Sequence, residues 1–300
     1  MEHPSNPSAD LAQALKAVSG IDFARAELRA IGGGCINRAF EVCAGDRSYF
    51  LKLNGADAQS MFEAEADGLA ALAGSSAFRV PRVLACGATG DEAFLLLEHL
   101  QLRPLASAED GLRFAEALVQ LHQDTGEHFG WVRDNFIGAS PQVNEQHEGW
   151  GQFFVKCRLM PQLQLARSRG FDAVAGRESA QLLDRVPALF LDYRPRPSLL
   201  HGDLWHGNAA MDAEGRPVIF DPAVYRGDRD ADLAMSELFG GFPTAFYATY
   251  RAAWSPAEGY EQRKTLYNLY HVLNHLNLFG RAYLGQAERM IRTLAHDLLR

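Results

Sequence analysis

Two carboxylates and an amide stand close together in the C-terminal half of the sequence. The segment HGDLWHGN, residues 201–208, follows one short apolar run and contains Asp203 and Asn208, and Asp221 follows a second apolar run. Residues 212–215, DAEG, are typical of a turn between two strands. Two strands that end at these positions would bring the three side chains together. Such oxygen ligands suit a hard cation such as Mg²⁺ and leave one carboxylate for proton transfer.

A glycine-rich segment lies between two predicted strands of the N-terminal third. Residues 32–37, GGGCIN, connect predicted strands at 26–31 and 39–44. Glycines let a backbone approach a ligand closely and point its N–H groups toward it, as in loops that cover phosphates. The same residues are also typical of an ordinary hairpin turn. The segment alone therefore does not distinguish a phosphate-covering loop from such a turn, and other residues are needed to decide.

A lysine and a glutamate are the next candidates for a nucleotide site. Lys52 lies near the end of a third predicted strand, on the face opposite Leu51 and Leu53. In the predicted helix at 58–73, Glu65 falls on the apolar face, where a carboxylate is costly unless a cation pairs with it. We therefore expect Lys52 to pair with Glu65. A strand lysine held by a helix glutamate binds nucleotide phosphates in kinase-like folds.

The character of the sequence changes near its first third. Predicted strands end at Glu98-His99-Leu100, and predicted helices follow. We predict a domain boundary here, between residues 1–100 and residues 101–300. A hinge would cross between them at Glu98 and Leu100, where backbone groups could pair with an adenine.

Residues 101–300 are predicted to be mainly helical. Helical periodicity marks residues 108–122, 149–165 and 179–190. The C-terminal third is helical too, and Asp232 fits the N-cap of one of its helices. We interpret His122, on an inward helix face, as a structural residue.

The bulk composition is that of an acidic globular chain. The 300 residues are 47% hydrophobic and 22% charged, with a formal net charge of −8. This charge argues against a nucleic-acid partner, which requires a basic surface. No apolar run approaches the ~18 residues that span a bilayer, and the N-terminal MEHPSNPSAD lacks the features of a secretory signal. We expect a cytoplasmic protein that binds neither nucleic acid nor membrane.

The cysteines agree with that location. They are Cys35, Cys43, Cys86 and Cys157, and no two form a CxxC pair. Such scattered cysteines favour reduced thiols over a disulfide framework or a zinc site.

Several motifs together carry a resemblance to a known family. Asp203, Asn208 and Asp221 resemble the catalytic and metal-binding elements of kinase-like phosphotransferases. The segments that resemble the fructosamine-3-kinase / ketosamine-3-kinase family are GGGCIN at 32–37, MFEAEADGL at 61–69, FIGASPQVN at 136–144, HGDLWHGN at 201–208, DLAMSELFGGF at 232–242 and LNHLNLFG at 273–280. The match spans about residues 18 to 295. HGDLWHGN alone would indicate only the wider aminoglycoside-phosphotransferase-like superfamily.

The resemblance implies a fold and an activity. The fold would be α+β and two-lobed, protein-kinase-like (aminoglycoside-phosphotransferase-like), with an antiparallel sheet in the small N-lobe and a mainly helical C-lobe. The activity would be ATP- and Mg²⁺-dependent phosphorylation of O3 of the sugar in a ketosamine, the adduct that forms when a sugar glycates an amine. The 3-phosphate then decomposes and frees the amine, so the reaction would repair glycated protein. Bacterial-type members are expected to prefer ribulosamines or erythrulosamines over fructosamines.

The same resemblance implies a role for each candidate residue. Asp203 would orient or deprotonate the attacking hydroxyl, while Asn208 and Asp221 bind Mg²⁺. Lys52, held by Glu65, would neutralise phosphate oxygens. The chain continues with Pro-Ala after the second aspartate, where protein kinases carry the rest of DFG, a difference that fits the small-molecule branch.

The resemblance also implies a role for the glycine-rich segment in binding the nucleotide. The residues whose backbone would cover the phosphates are Gly33, Gly34, Cys35 and Ile36. The resemblance implies a redox switch at such a cysteine, and we expect oxidation of Cys35, with intermolecular pairing, to inhibit ATP binding. The alternative is a small thiol without a regulatory role. The expected oligomeric state is a monomer or a redox-sensitive homodimer.

Trp205 and His275 are the candidates for contact with the sugar. Trp205 belongs to the catalytic segment itself, although it could equally anchor that loop by packing. His275 lies in a polar stretch of a predicted helix, where residues that bridge helices would look the same. His206 receives no role, because its position varies within the family.

Three other functions remain open at this point. Another small-molecule kinase of the aminoglycoside-phosphotransferase-like superfamily would use the same site. A metallohydrolase would use His201, Asp203, His206 and Asp221 as ligands, but such sites gather more histidines at close spacing. That function would also leave Lys52 unexplained. A non-catalytic binding module of kinase shape would be expected to lack at least one of the phosphotransfer residues.

Overall fold

The N-terminal lobe is built on an antiparallel sheet. The computed structural model describes residues 5–32 and 36–298 of the chain. The five strands of this sheet are Glu27–Ile31 (β1), Arg38–Ala44 (β2), Arg47–Gly55 (β3), Val83–Ala88 (β4) and Glu92–Glu98 (β5). They hydrogen-bond in the order β1-β2-β3-β5-β4, and every neighbouring pair is antiparallel.

Two helices cover the two faces of the sheet. They are Ala9–Ser19 (α1) and Gln59–Gly74 (α2). Side chains alternate along β3, so Leu51 and Leu53 pack with Leu15 of α1 in one apolar cluster. Lys52 points to the other face and meets Glu65 of α2. The predicted orientation of Lys52 is therefore confirmed.

The C-terminal lobe is mainly helical, as predicted. Its helices are Ala108–Gln123 (α3), Trp150–Phe154 (α4), Met160–Ser168 (α5), Arg177–Arg185 (α6), Asp230–Leu238 (α7), Thr244–Ala253 (α8), Tyr260–Phe279 (α9) and Leu284–Asp297 (α10). A π-helical turn at Val155–Leu159 joins α4 to α5. The long helix α9 packs against α5, α7 and α10 and buries Leu269, Val272 and Leu273 completely. Within the described residues, no helix has both the length and the apolar character that a membrane crossing requires.

Short strands of the C-terminal lobe position the polar segments that contain the candidate site residues. The strands are Leu102–Pro104 (β6), Asn135–Ile137 (β7), Ser140–Gln142 (β8), Ser198–Leu200 (β9), Ala209–Asp212 (β10), Pro217–Ile219 (β11) and Tyr225–Gly227 (β12). β10 pairs with both β11 and β6, β9 pairs with β12, and β7 pairs with β8. The predicted turn at 212–215 joins β10 to β11. β9 ends just before His201, and β11 ends just before Asp221. The segment 201–208 and Asp221 therefore each follow the end of a strand.

One helix start differs from the expectation. Asp232 lies in the first turn of α7, and Arg229 occupies the N-cap position. The Asp232 carboxylate instead accepts the backbone N–H groups of His201 at 2.8 Å and Gly202 at 2.9 Å. The predicted N-cap role of Asp232 is wrong, because amides of a distant loop compete for the same carboxylate.

Candidate active site

Lys52 is a buried cation that contacts two carboxylates. Its Nζ lies 2.6 Å from Glu65 Oε1 and 2.5 Å from Asp221 Oδ1, and the residue is 5% exposed. Burial alone would lower the pKa of Lys52, but the charges of Asp221 and Glu65 outweigh it and raise the pKa above its ordinary value. The predicted pairing with Glu65 is present, and it extends to a residue of the other lobe. Lys52 is therefore a permanent cation beside the Asp221 carboxylate.

A buried carboxylate fixes the backbone around Asp203. Besides the amides of His201 and Gly202, Asp232 is bonded by the ring of His122, whose Nε2 lies 3.3 Å from Oδ2. Burial opposes ionisation of Asp232, but the hydrogen bonds from His122 and from the His201 amide keep its pKa below the usual value. A buried anion thus holds the start of the segment 201–208. His122 has the structural role expected for it.

Two further constraints shape this segment. Gly202 has a φ of +81°, and a side chain there would collide with the carbonyl oxygen of Ala223. The His201 ring is fully buried, with Nε2 donating to Phe220 O at 3.0 Å and Nδ1 accepting the Asp203 N–H at 3.2 Å. Both ring nitrogens therefore tie strand ends together, and neither is left for a ligand.

The Asp203 side chain is partly buried near two other carboxylates, those of Asp221 and Asp232. This side chain is 22% exposed. Burial, followed by the charge of Asp221, raises the pKa of Asp203 to about 7, although the hydrogen bond from Asn208 acts in the opposite direction. A carboxyl group with a pKa near neutrality is suited to accept a proton and release it again. This environment suits the base expected at Asp203.

Asn208 and Asp221 offer oxygen atoms beside it. Asn208 Nδ2 donates to Asp203 O at 2.9 Å and to Asp203 Oδ2 at 3.1 Å, which leaves its amide oxygen as a ligand. The Asp221 side chain is 46% exposed and contacts Lys52 through Oδ1. Carboxylate and amide oxygens are the ligands that Mg²⁺ prefers. The donor set therefore fits the predicted cation.

Asp221 also has an unusual backbone conformation. Its φ of +55° lies in the left-handed region, which it shares with only one other non-glycine residue of the described chain, Ser76. Aspartate tolerates this region better than most residues, and such conformations concentrate at functional sites.

The histidines of the segment do not support a hydrolytic metal site. Both ring nitrogens of His201 are hydrogen-bonded to the backbone. His206 is exposed, and its ring centroid lies 4.8 Å from that of Trp205 in an edge-on arrangement. In the described ranges, no group of three or more His, Cys, Asp or Glu side chains is arranged to bind a metal ion. The geometry therefore disfavours the metallohydrolase alternative.

An aromatic row begins at Trp205. Ring centroids are 6.0 Å apart for Trp205 and Phe239, 4.8 Å for Phe239 and His275, and 5.1 Å for His275 and Tyr283. His275 Nδ1 donates to the carbonyl of His271 at 2.8 Å, so Nε2 remains as an acceptor. Trp205 and His275 thus belong to one surface. Phe239, which links them, is a residue that the sequence reasoning missed, and its only signal is its place in the motif at 232–242.

The other polar residues of α9 have different uses. Asn274 accepts from Gln162 at 3.2 Å and donates to the carbonyl of Ile137 at 3.3 Å, so it joins α9 to α5 and to β7. His271 is fully buried, and its Nδ1 lies 4.0 Å from Asp203 Oδ1. His271 was not among the predicted residues, because its proximity to Asp203 arises only from the packing of α9.

The β7–β8 hairpin, which contains most of the FIGASPQVN motif, supports the chain that follows Asp221. Asn135 Nδ2 donates to Val224 O at 2.7 Å, and Gln142 Nε2 donates to Ala223 O at 3.1 Å. The hairpin β7–β8 therefore holds the backbone two and three residues beyond the metal-ligand candidate.

A buried arginine supports the same hairpin. Arg158 lies in the π-helical turn, is 0% exposed, and donates to Asn144 Oδ1 at 2.8 Å. Its guanidinium lies 3.9 Å from the centre of the Tyr225 ring, close enough for a cation–π contact.

Part of the predicted nucleotide site lies outside the described residues. Gly33, Gly34 and Cys35 are in that part, so their phosphate contacts and the redox role of Cys35 remain predictions. Ile36 is described, and its carbonyl accepts a hydrogen bond from Asn54 Nδ2 at 3.3 Å.

The predicted hinge lies at the end of β5. The N–H of Glu98 donates to Arg82 O at 2.9 Å, and its side chain accepts from Arg79 at 2.7 Å. Leu100 is half-buried between β5 and β6. The position suits a crossing between lobes, and contact of these residues with adenine remains a prediction.

Comparison with known proteins shows the family of the chain. The family model described as fructosamine kinase matches residues 7–297. A probable ketoamine kinase of Synechocystis sp. is 46% identical over 290 residues, covering 95% of this chain and 96% of that protein. A chloroplastic protein-ribulosamine 3-kinase of Oryza sativa subsp. indica is 39% identical, covering 87% of this chain and 76% of that protein.

Solved structures give the same answer at the level of the fold. A presumed fructosamine-3-kinase of Haemophilus somnus has a TM-score of 0.88 at 31% identity, covering 95% of this chain and 96% of the other. An aminoglycoside phosphotransferase solved with AMP-PNP and hygromycin B has a TM-score of 0.65 at 17% identity. The match covers 96% of this chain and 98% of the other. The chain belongs to the fructosamine kinase family, and it is a two-lobed, kinase-like phosphotransferase with an alcohol group as acceptor.

Proposed function

We propose that the protein is an ATP-dependent ketosamine 3-kinase. It phosphorylates O3 of the sugar in ribulosamine, erythrulosamine or fructosamine adducts on protein or free amines, and so promotes deglycation. The observation that carries the proposal is the convergence of Asp203, Asn208 and Asp221 with the Lys52–Glu65 pair. Relatives named for ketoamine and ribulosamine kinase activity support a glycated amine as the acceptor.

The nucleotide side of the site is assigned to charged and oxygen-bearing residues. Lys52, fixed by Glu65, neutralises phosphate oxygens. Asn208 and Asp221 hold Mg²⁺, which when bound neutralises charge on the transferring phosphates. The remaining proposed contacts are those of the Glu98 and Leu100 backbone with adenine and of Gly33, Gly34, Cys35 and Ile36 with the phosphates. In this scheme residues 1–100 and 101–300 form the two walls of the site.

The acceptor side is assigned to Asp203 and the aromatic row. The Asp203 carboxylate orients the O3 hydroxyl and takes its proton as O3 bonds to the γ-phosphorus. The bond to the departing ADP oxygen breaks in the same step, and the proton then passes from Asp203 to solvent. Trp205 and His275 hold the sugar, with the indole against its C–H groups and His275 Nε2 accepting from a hydroxyl.

Cellular context completes the proposal. A cytoplasmic kinase that acts on glycated amines needs neither a nucleic-acid nor a membrane partner, in keeping with the net charge of −8. The chain acts as a monomer or as a homodimer that forms when Cys35 is oxidised.

The test is a panel of ribulosamine-, erythrulosamine- and fructosamine-lysine with ATP. The parent should convert at least one of them to its 3-phosphate, observed by ³¹P NMR and mass spectrometry, and then release lysine. Asp203→Asn should lower turnover about 10²–10⁴-fold, because general-base assistance contributes that much. Asp172→Asn, an exposed aspartate of the C-terminal lobe, is the matched control and should be as active as the parent.

Two outcomes would contradict the proposal. Turnover of an aminoglycoside or another alcohol without any ketosamine would assign the chain to a different small-molecule kinase. Undiminished phosphorylation by Asp203→Asn would remove Asp203 from the role of base.

A further inference from the structure

A buried histidine lies beside the catalytic candidate Asp203 without an evident use. His271 of α9 is 3% exposed, and its Nδ1 lies 4.0 Å from Asp203 Oδ1. Among the described residues, this Nδ1 has no hydrogen-bond partner. An unpaired buried polar atom costs free energy, so such an atom in a folded protein calls for an explanation.

The other buried histidines show the usual arrangement. His122 uses its two ring nitrogens on Tyr250 and Asp232, and His201 uses both of its nitrogens on the backbone. His271 is thus the exception among the three buried histidines of the described chain. The half-buried His147 also has an unpartnered ring nitrogen, Nε2, so the inference rests on the position of His271 beside Asp203 and not on the missing partner alone.

The two oxygens of the Asp203 carboxylate have different neighbours. Oδ2 accepts from Asn208 Nδ2 at 3.1 Å, whereas Oδ1 faces His271. A carboxylate held at one oxygen can still rotate, because its terminal torsion is broad. A donor at Oδ1 would fix its orientation. Each carboxylate oxygen can accept two hydrogen bonds, so Oδ1 can bond to His271 and to an acceptor hydroxyl at once.

A neutral imidazole can donate from Nδ1 in the tautomer that carries its proton on that nitrogen. Burial, together with the neighbouring His275, lowers the pKa of His271 to about 3, so the ring is neutral and carries one N–H. A separation of 4.0 Å is too long for a hydrogen bond. Catalytic hydrogen bonds are often long in the free enzyme, however, and tighten when substrate binds.

We propose that His271 is a positioning residue for Asp203. When the acceptor binds, the Nδ1–H of His271 closes on Oδ1 and holds the carboxylate against the reacting hydroxyl, while Asn208 holds Oδ2. The inference rests on the proposed function in one respect, that Asp203 acts on the acceptor hydroxyl. It does not depend on which alcohol the enzyme phosphorylates.

A pair of substitutions at His271 separates donation from packing. His271→Asn keeps an N–H donor at the place of Nδ1, and His271→Leu has similar branching without a donor. The leucine variant should lose about 10–100-fold in kcat for the ketosamine, with the KM for ATP unchanged within about twofold. The asparagine variant should recover kcat to within a few-fold of the parent. If the leucine variant does not fold, His271→Gln replaces it, because its amide nitrogen lies at the place of Nε2.

The matched control is Asn268→Leu on the same helix. Asn268 is also buried and also has an unpartnered atom, Oδ1, but the structure gives it no contact with Asp203. This variant should keep the parent kcat. Equal losses in the leucine and asparagine variants, or a KM for ATP that rises in parallel with the fall in kcat, would overturn the inference. A parent that phosphorylates only another alcohol would overturn the proposed function instead, and the same comparison is then made with that alcohol.

Discussion

Lysine is seldom buried, and Lys52 is buried between two carboxylates. Its contacts with Glu65 and Asp221 join β3 to the next helix along the chain, α2, and to a loop that is distant in the sequence. Glu65 is itself nearly buried, and burial raises its pKa while Lys52 acts against the rise. The Lys52 cation and the carboxylates of Glu65 and Asp221 thus offset one another's free-energy cost of burial.

Removal of Lys52 should therefore harm folding as well as activity. Lys52→Met leaves Glu65 without a cation and should lower the free energy of unfolding by about 3–5 kcal/mol. The double variant Lys52→Met/Glu65→Leu removes the stranded carboxylate and should be more stable than the single variant, although both lose turnover. Urea unfolding measures the stabilities. A double variant that is as unstable as the sum of the two single variants would show that the pair is not coupled.

At the scale of elements, strand ends and a hairpin place the chemistry. β9 and β11 end at the catalytic segment and at Asp221, and the β7–β8 hairpin holds the backbone just beyond Asp221. The close approach of the two loops is possible because Gly202 has no side chain where it faces Ala223.

Alanine substitutions at two glycines test this approach. Gly202 and Gly20 have φ values of +81° and +74°, but only Gly202 has neighbours within 4 Å of the added carbon. Gly20→Ala should cost about 1–2 kcal/mol, the cost of the left-handed conformation alone. Gly202→Ala should cost clearly more and should abolish turnover, because the loop must move. Thermal unfolding and a phosphorylation assay give both quantities, and equal effects at the two sites would argue against a tight packing of the loops.

At the scale of the whole molecule, much of the fold and part of the site could be predicted from the sequence. Alternation along β3 and the apolar face of α2 indicated the Lys52–Glu65 pair, since both patterns are local. The role of Asp232 was not predictable, because an aspartate near a helix start suits a cap and a tertiary contact equally. His271 escaped notice for a related reason, since its proximity to Asp203 arises only when α9 packs against the lobe.

A buried acidic network in the C-terminal lobe should make stability depend on pH. Asp228 accepts hydrogen bonds from Tyr267 at 2.6 Å and Tyr193 at 3.0 Å, and burial together with the charge of Asp230 raises its pKa. The folded protein therefore holds this proton more tightly than the unfolded chain, whose aspartates have a pKa of about 4. The stability that Asp228 contributes is fully present below that pKa and is lost as the pH rises through the raised pKa.

Asp228→Asn, which cannot ionise, should reveal this dependence. Its free energy of unfolding, relative to that of the parent, should increase from about pH 5 to about pH 8, on top of a constant loss from the altered hydrogen bonds. Urea unfolding at the two pH values measures the difference. A difference that does not change with pH would mean that Asp228 has an ordinary pKa in the folded protein.

The π-helical turn at Val155–Leu159 has a consequence for how this segment tolerates an insertion or a deletion. Each residue of an α-helix rotates the chain by about 100°, so one extra residue sets the direction in which α4 faces relative to α5. A single codon gained or lost would rotate Trp150 and Phe153 out of the apolar cluster and remove Arg158 from Asn144. Relatives with a helix one residue shorter here should lack a buried arginine and should support the β7–β8 hairpin by other side chains.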